Sequence, residues 1–120
     1  MKPSKKIVAF LSAYADKEKR EVFLNEKLLL PEKSLKLVNH SPTGFAWGYG
    51  GSGPAQMALA ILLELLPQET ALKNYQIFKE KILVQVEPHF FEIQFQISIF
   101  EDGTIDAVIV KSEENEGRNS

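Results

Sequence analysis

The feature that most constrains this chain is a run of 27 residues without a charged side chain, between Lys36 and Glu64. Because 25% of the residues are charged, a gap of this length has a chance probability on the order of one in two thousand. The first half of the run is rich in glycine and aromatic residues, and the second half, from Pro54, is almost wholly apolar. This pattern predicts a glycine-rich loop that leads into a buried helix.

The predicted helix has clear signals at both ends. Pro54 suits the first helical turn, where a missing backbone N–H costs little, and Pro67 ends the helix. Gly53 or Ser52 is the predicted N-cap, and Gln56 would close a capping box if Gly53 is the cap. The apolar residues between the two prolines leave no polar stripe, so the helix must be surrounded by its own domain or by a second subunit. We therefore expect a homo-oligomer.

Strand and helix patterns flank this segment. A second, amphipathic helix is predicted from residue 68 to 86, with Pro88 as its end. Ser34 would cap a brief helical turn, and Asp102-Gly103 supplies a hairpin turn. Short β-rich or alternating runs predict strands at residues 7–11, 21–24, 28–30, 91–99 and 105–109.

The predicted fold class is α+β, a small antiparallel sheet packed on a central apolar helix and a second amphipathic helix. Residues 1–110 form one predicted domain, and residues 111–120 form an acidic tail predicted to be disordered. The longest apolar run, residues 54–66, falls short of the roughly 20 residues of a membrane-spanning helix. No secretory signal is predicted at the N-terminus, so we expect a cytoplasmic protein that does not bind a membrane.

Composition removes several classes of function. Without cysteine the chain forms no disulfide, zinc–thiolate site or thiolate nucleophile. Two histidines do not make a metal site, so neither a metal nor a cofactor is predicted. A net charge of −2 argues against nucleic-acid binding. Gly48, Gly50 and Gly53 match a dinucleotide-binding spacing, but no buried strand precedes them and Glu69 opens a helix, so a Rossmann site is not expected.

The glycine-rich loop and the helix N-terminus form the candidate binding site. Loop amides, hydroxyls, an imidazole and aromatic rings near the positive end of a helix suit a small anionic or planar ligand, or a protein partner. The alternative is that the glycines let the backbone pass beneath aromatic rings that belong to the core or to an interface. The predicted binding residues are His40, Ser41, Phe45, Trp47, Tyr49, Gly50, Gly51, Ser52 and Gln56.

Three functions stay open at this point. The favoured one is a non-enzymatic binding or docking module that holds its ligand or partner at this loop. The second is a small hydrolase or nucleotide-acting enzyme that uses His40 with Ser41 or Ser52, although the uncharged run holds no carboxylate to orient the histidine. The third is a self-associating accessory protein without a ligand. No catalytic residue is predicted.

The segment NHSPTGFAWGYGGSGPAQMALAILLELL, residues 39–66, resembles a family of small bacterial and phage-borne proteins of unknown function. The family is marked by a segment like GF-x-WGYGGSGPAQ-x-ALA, and Met57 stands where the family commonly has Leu. The likeness extends more weakly to residues 21–30 and 75–78, and so covers roughly half of the chain. It implies no activity, but it points to a phage-related protein.

Overall fold

A computed structural model describes residues 2–42 and 44–112. The elements are β1 (Lys5–Ala15), β2 (Arg20–Leu24), β3 (Lys27–Leu28), α1 (Glu32–Leu35), α2 (Ser52–Leu65), α3 (Gln68–Lys81), β4 (Phe90–Ile99) and β5 (Ile105–Ser112). The five strands form one antiparallel sheet in the order β3-β2-β1-β4-β5, which confirms the α+β class. A 3₁₀ turn, Leu83–Gln85, links α3 to β4.

The sheet forms because alternate residues of its long strands are apolar, so that one face is buried against the helices. β1 and β4 pair along their whole shared length, from Lys5 opposite Ile99 to Tyr14 opposite Phe90. The prediction of a half-buried strand from Phe91 is confirmed. The buried side chains of these two strands are Ala9, Leu11, Ala13, Phe91, Ile93, Phe95 and Ile97.

α2 lies at the centre of the core, and its own chain covers it. Every residue from Gly53 to Leu63 is buried, between α1, α3 and the inner face of the sheet. An apolar helix surface therefore gives no reason for a second subunit here. The prediction of a homo-oligomer has to rest on another surface of the molecule.

The two predicted helix caps are wrong. α1 follows Pro31, and the hydroxyl of Ser34, inside that helix, donates to the Pro31 carbonyl at 2.8 Å. The N-cap of α2 is Gly51 rather than Gly53 or Ser52, because the helix already begins at Ser52. The Ala55 N–H donates to the Gly51 carbonyl at 3.0 Å, which places the first helical turn earlier than the sequence predicts.

Two boundaries also differ from their predictions. α3 ends at Lys81, and the buried Ile82 and Leu83 continue into the 3₁₀ turn instead of a longer helix. β5 extends to Ser112 because Lys111 pairs with Gln94 beyond a bulge, so the first two residues of the predicted tail belong to the sheet. The rest of that tail lies outside the described residues. In the part of the chain that the structure describes, no helix has the length and hydropathy to cross a membrane.

Candidate functional site

Gln56 ties the segment before the glycine-rich loop to α2. Its Oε1 accepts hydrogen bonds from the backbone N–H groups of His40 at 2.7 Å and Ser41 at 3.1 Å. Its Nε2 donates to the Ser34 hydroxyl at 2.8 Å and to the Val38 carbonyl at 3.0 Å. Because Gln56 is fully buried, these four bonds fill the hydrogen-bonding capacity of its amide inside the protein. This residue positions two other predicted site residues and makes no capping box.

The His40 side chain lies against α3. Its Nε2 is 2.7 Å from the hydroxyl of Tyr75, and the two ring centroids are 5.6 Å apart. Within residues 2–42 and 44–112, no hydrogen bond joins the His40 ring to the hydroxyl of Ser41 or Ser52. A nucleophile and its base normally lie within hydrogen-bonding reach of each other. Tyr75 lies on the buried face of α3 and is not among the predicted site residues. Because a buried tyrosine hydroxyl needs a hydrogen-bond partner, the residue type itself was the available signal in the sequence.

Phe45 and Trp47 are buried and belong to the wall of the core. The Trp47 ring meets Phe91 of β4 edge-on, with centroids 5.9 Å apart. The Arg20 guanidinium lies 5.9 Å from the Trp47 ring centroid and donates to the Phe45 carbonyl at 3.2 Å. The indole Nε1 is buried without a hydrogen-bond partner among the described residues. Arg20 is not among the predicted site residues, because it is distant in sequence from the glycine-rich loop and belongs to a basic N-terminal region.

Two glycines of the loop are required by the backbone. A Cβ on Gly53 would lie 2.5 Å from the Cβ of Ala46, so the loop and α2 approach each other at this point. Gly48 has a φ of +86°, a left-handed conformation that favours glycine, and its N–H donates to the Leu83 carbonyl at 2.8 Å. Close packing and a turn therefore account for these two positions of the glycine pattern.

Gly53→Ala should lower the free energy of unfolding by about 1–3 kcal/mol, because the added methyl group overpacks the contact with Ala46. Gly50→Ala is the matched control, since a Cβ there would make an ordinary contact with Val84 at 3.7 Å. Its effect should stay within about 0.5 kcal/mol in urea denaturation. A Gly53→Ala protein as stable as the Gly50→Ala control would contradict the proposed clash.

The accessible part of the loop is residues 49–52, which we call the loop tip. The Tyr49 side chain is 53% exposed, and its ring covers Gly51, where a Cβ would come within 2.9 Å of the ring. Gly50 and Ser52 are exposed, and no side chain caps the start of α2. The predicted site therefore divides into a buried layer of Phe45, Trp47 and Gln56, a partly buried layer of His40, Ser41 and Gly51, and an exposed layer of Tyr49, Gly50 and Ser52.

Four clefts of the surface are lined by residues outside the loop tip. One, of about 640 Å³, lies between the β1–β2 turn, residues 28–31 and the start of the glycine-rich loop at Gly44 and Phe45. The others lie on the sheet, beside β3 and α1, and at the β1–β2 turn. None of these four is lined by Tyr49 or Ser52, so the loop tip stands outside them.

Three exposed carboxylates are held ionised by turn hydrogen bonds. Backbone N–H groups lower the pKa of Asp16 and of Glu87 below the usual range. The hydroxyl and then the N–H of Thr104 lower the pKa of Asp102. All three lie in turns outside the candidate site and stabilise local backbone. Within the described ranges, no group of three or more His, Asp or Glu side chains is arranged to hold a metal ion.

Comparison with known proteins gives one match. No curated protein and no solved structure is significantly similar to the chain. A family model matches residues 13–109, which run from within β1 almost to the end of β5. The match thus reaches well beyond residues 39–66 and includes β4 and most of β5. The chain belongs to a family of unknown function, DUF6166.

Proposed function

We propose that this chain is a non-enzymatic docking module and that its loop tip binds a protein partner. The observation that carries the proposal is the exposure of Tyr49, at 53%, on a loop whose other two aromatic side chains are buried. Tyrosine is enriched in protein interfaces because it offers a large, rigid contact area with a polar end. Tyr49 is exposed within residues 39–66, the segment that carries the family resemblance, and is therefore well suited to contact a protein partner.

The layers beneath the loop tip support this role. Gln56 fixes the chain before the loop, and the bond from the Gly48 N–H to the Leu83 carbonyl fixes its middle. The Tyr49 ring then rests on Gly51 rather than extending freely into solvent. A contact residue held in place before binding loses less conformational entropy when the partner arrives.

The shape of the site favours a protein over a small molecule. Small-molecule sites are concave and enclose most of their ligand, whereas the loop tip is exposed and lies outside the four clefts described above. The start of α2 adds backbone N–H groups without a side-chain cap, and these suit a carboxylate. The partner would thus offer an apolar recess for the Tyr49 ring beside an acidic side chain.

The enzymatic alternative has less support. A hydrolase would need His40 as a base for Ser41 or Ser52, but Nε2 of His40 is held by the Tyr75 hydroxyl. A small anionic ligand at the start of α2 is the second candidate, carried by the uncapped helix end alone. The cytoplasmic location and the phage-related origin stay predictions.

Photo-crosslinking in cells that naturally produce the chain tests the proposal. A benzophenone amino acid replaces Tyr49 in one variant and Ile77 in the control, a residue on α3 with a similar exposure of 45%. We expect position 49 to capture one protein, identifiable by mass spectrometry, that the purified chain then binds. Failure to capture a protein from position 49, or capture of the same protein from position 77, would contradict the proposal.

A further inference from the structure

The helices cover one face of the sheet, and the opposite face, which we call the outer sheet face, presents large apolar side chains to solvent. Exposed patches of this kind mark interaction surfaces, because burying them is favourable. The exposed apolar side chains of this face are Val8, Phe10 and Tyr14 of β1, Phe90 of β4 and Val108 of β5. They lie outside the loop tip, so the proposed function does not use them.

The strand register makes these side chains a continuous surface. Val8, Gln96 and Val108 form one row across β1, β4 and β5, and Tyr14 and Phe90 form another. Directly opposite residues in such rows have Cβ atoms about 5 Å apart. The polar member of the first row is an uncharged amide, whereas the row of Phe10 continues through Gln94 to Lys111 on the edge strand β5.

Phe10 projects beside a hollow in the same face. Its side chain is 57% exposed, more than that of any other Phe, Tyr or Trp among the described residues. The adjacent cleft, of about 250 Å³, is lined by apolar and uncharged side chains, including Phe10, Ser12, Phe23 and Gln94, and by the charged side chains of Glu26, Glu92 and Lys111. A surface with both a ring and a hollow is complementary to a second copy of itself, since a twofold axis places each ring in the hollow of the other copy.

Charged side chains lie both at the ends of the face and beside Phe10. Lys6 lies near one end, in the same row as Asp106, which pairs with Lys81 at 3.4 Å. Glu92 lies toward the other end, opposite Ser12. Lys111 lies in the row of Phe10 and Glu26 lines the same hollow, so the charges do not select a direction in which two β1 strands would cross.

The area of the face is sufficient for a dimer. The four longer strands, at about 3.3 Å per residue and a spacing of about 4.8 Å, present a flat area of roughly 550 Å². Two copies whose faces covered each other fully would bury about 1,100 Å², which clears the minimum of roughly 1,000 Å² for a specific interface and lies at the small end of the known range. Residues 113–120 of the same chain contain no apolar residue and do not suit this face.

We propose that two copies of this chain associate through the outer sheet face, as a twofold-symmetric dimer centred on Phe10. The interface is separate from the loop tip, and it supplies the surface for self-association that α2 does not.

Sedimentation equilibrium at high micromolar concentration tests the dimer. The wild type should have about twice the chain mass of 13.5 kDa. Phe10→Glu should raise the dissociation constant at least about 30-fold, because it removes a central aromatic contact and places like charges near the axis. Ile77→Glu, on the opposite side of the molecule, and Tyr49→Ala, at the loop tip, should change it less than about twofold. A monomeric wild type, or a Phe10→Glu protein that is folded and still dimeric, would overturn the proposal.

A second substitution keeps the test decisive if Phe10→Glu fails to fold. Val8→Lys should raise the dissociation constant at least about 10-fold, because Val8 is 49% exposed in the first row and a charge placed there would have to be desolvated in the interface. Circular dichroism melting of each variant establishes that it is folded. A folded Val8→Lys protein that dimerises as tightly as the wild type would overturn the proposal.

Discussion

Phe95→Ala is expected to lower the free energy of unfolding by about 3–5 kcal/mol. Phe95 is fully buried in the middle of β4, and its ring meets Phe78 of α3 edge-on with centroids 5.1 Å apart. The substitution removes this contact between the sheet and the helix layer and leaves a cavity that the close-packed core fills poorly. Urea denaturation, followed by far-UV circular dichroism at low micromolar concentration, measures the change.

Gln94→Ala is the control for that substitution. Gln94 precedes Phe95 in β4 but points to the outer sheet face and is half-buried. Its replacement should change the free energy of unfolding by about 0.5 kcal/mol or less. Equal losses in the two variants would show that β4 does not present alternate residues to the core.

Gln56→Leu is expected to cost about 2–5 kcal/mol of stability, although leucine has nearly the same size. The change leaves the N–H groups of His40 and Ser41 and the carbonyl of Val38 without the partner they have in the native fold. An unsatisfied buried polar group costs about 1–3 kcal/mol, and part of this cost is relieved where water reaches the group.

Gln76→Leu, at an exposed position of α3, is the control and should be within about 0.5 kcal/mol of the wild type. Urea denaturation compares the two variants under the same conditions. If Gln56→Leu were as stable as Gln76→Leu, this would contradict the claim that the hydrogen bonds of Gln56 hold residues 38–41 against α2.

Most of the fold was predictable because the apolar residues within its strands and helices recur with a regular period. The alternation from Phe91 to Ile99 can be read from sequence, since every second side chain must face the core. The two prolines at positions 54 and 67 delimit α2 closely. Caps were less predictable, because Gly51, Ser52 and Gly53 are all compatible with a helix start and tertiary contacts decide among them.

The candidate site was predictable in its residue types but not in their orientation. Trp47 and Tyr49 are two positions apart, yet one is buried against Phe91 and the other is exposed. Gly48 lies between them with a positive φ, which redirects the chain without leaving a periodic signal. The contact of His40 with Tyr75, 35 residues away, likewise follows from tertiary structure and has no local sequence pattern.

The two proposed surfaces would act together in a dimer. Each copy would carry one loop tip, so the assembly would offer two tips to its partner. Two linked contacts can raise the apparent affinity for a partner that also has two copies, without any new contact. A single loop tip offers a small contact area, and the second tip of a dimer would compensate by raising the apparent affinity.

The most direct test of the docking proposal is the dissociation constant of the captured partner, measured by calorimetry for three forms of the chain. Tyr49→Ala should weaken binding at least about 30-fold, as expected for the loss of a central aromatic anchor. Its melting temperature should stay close to that of the wild type, because the ring is 53% exposed. Ile77→Ala, which removes an apolar side chain of similar exposure, 45%, from α3, should leave the affinity unchanged. Equal affinity of Tyr49→Ala and the wild type would contradict the proposal that the loop tip is the docking site.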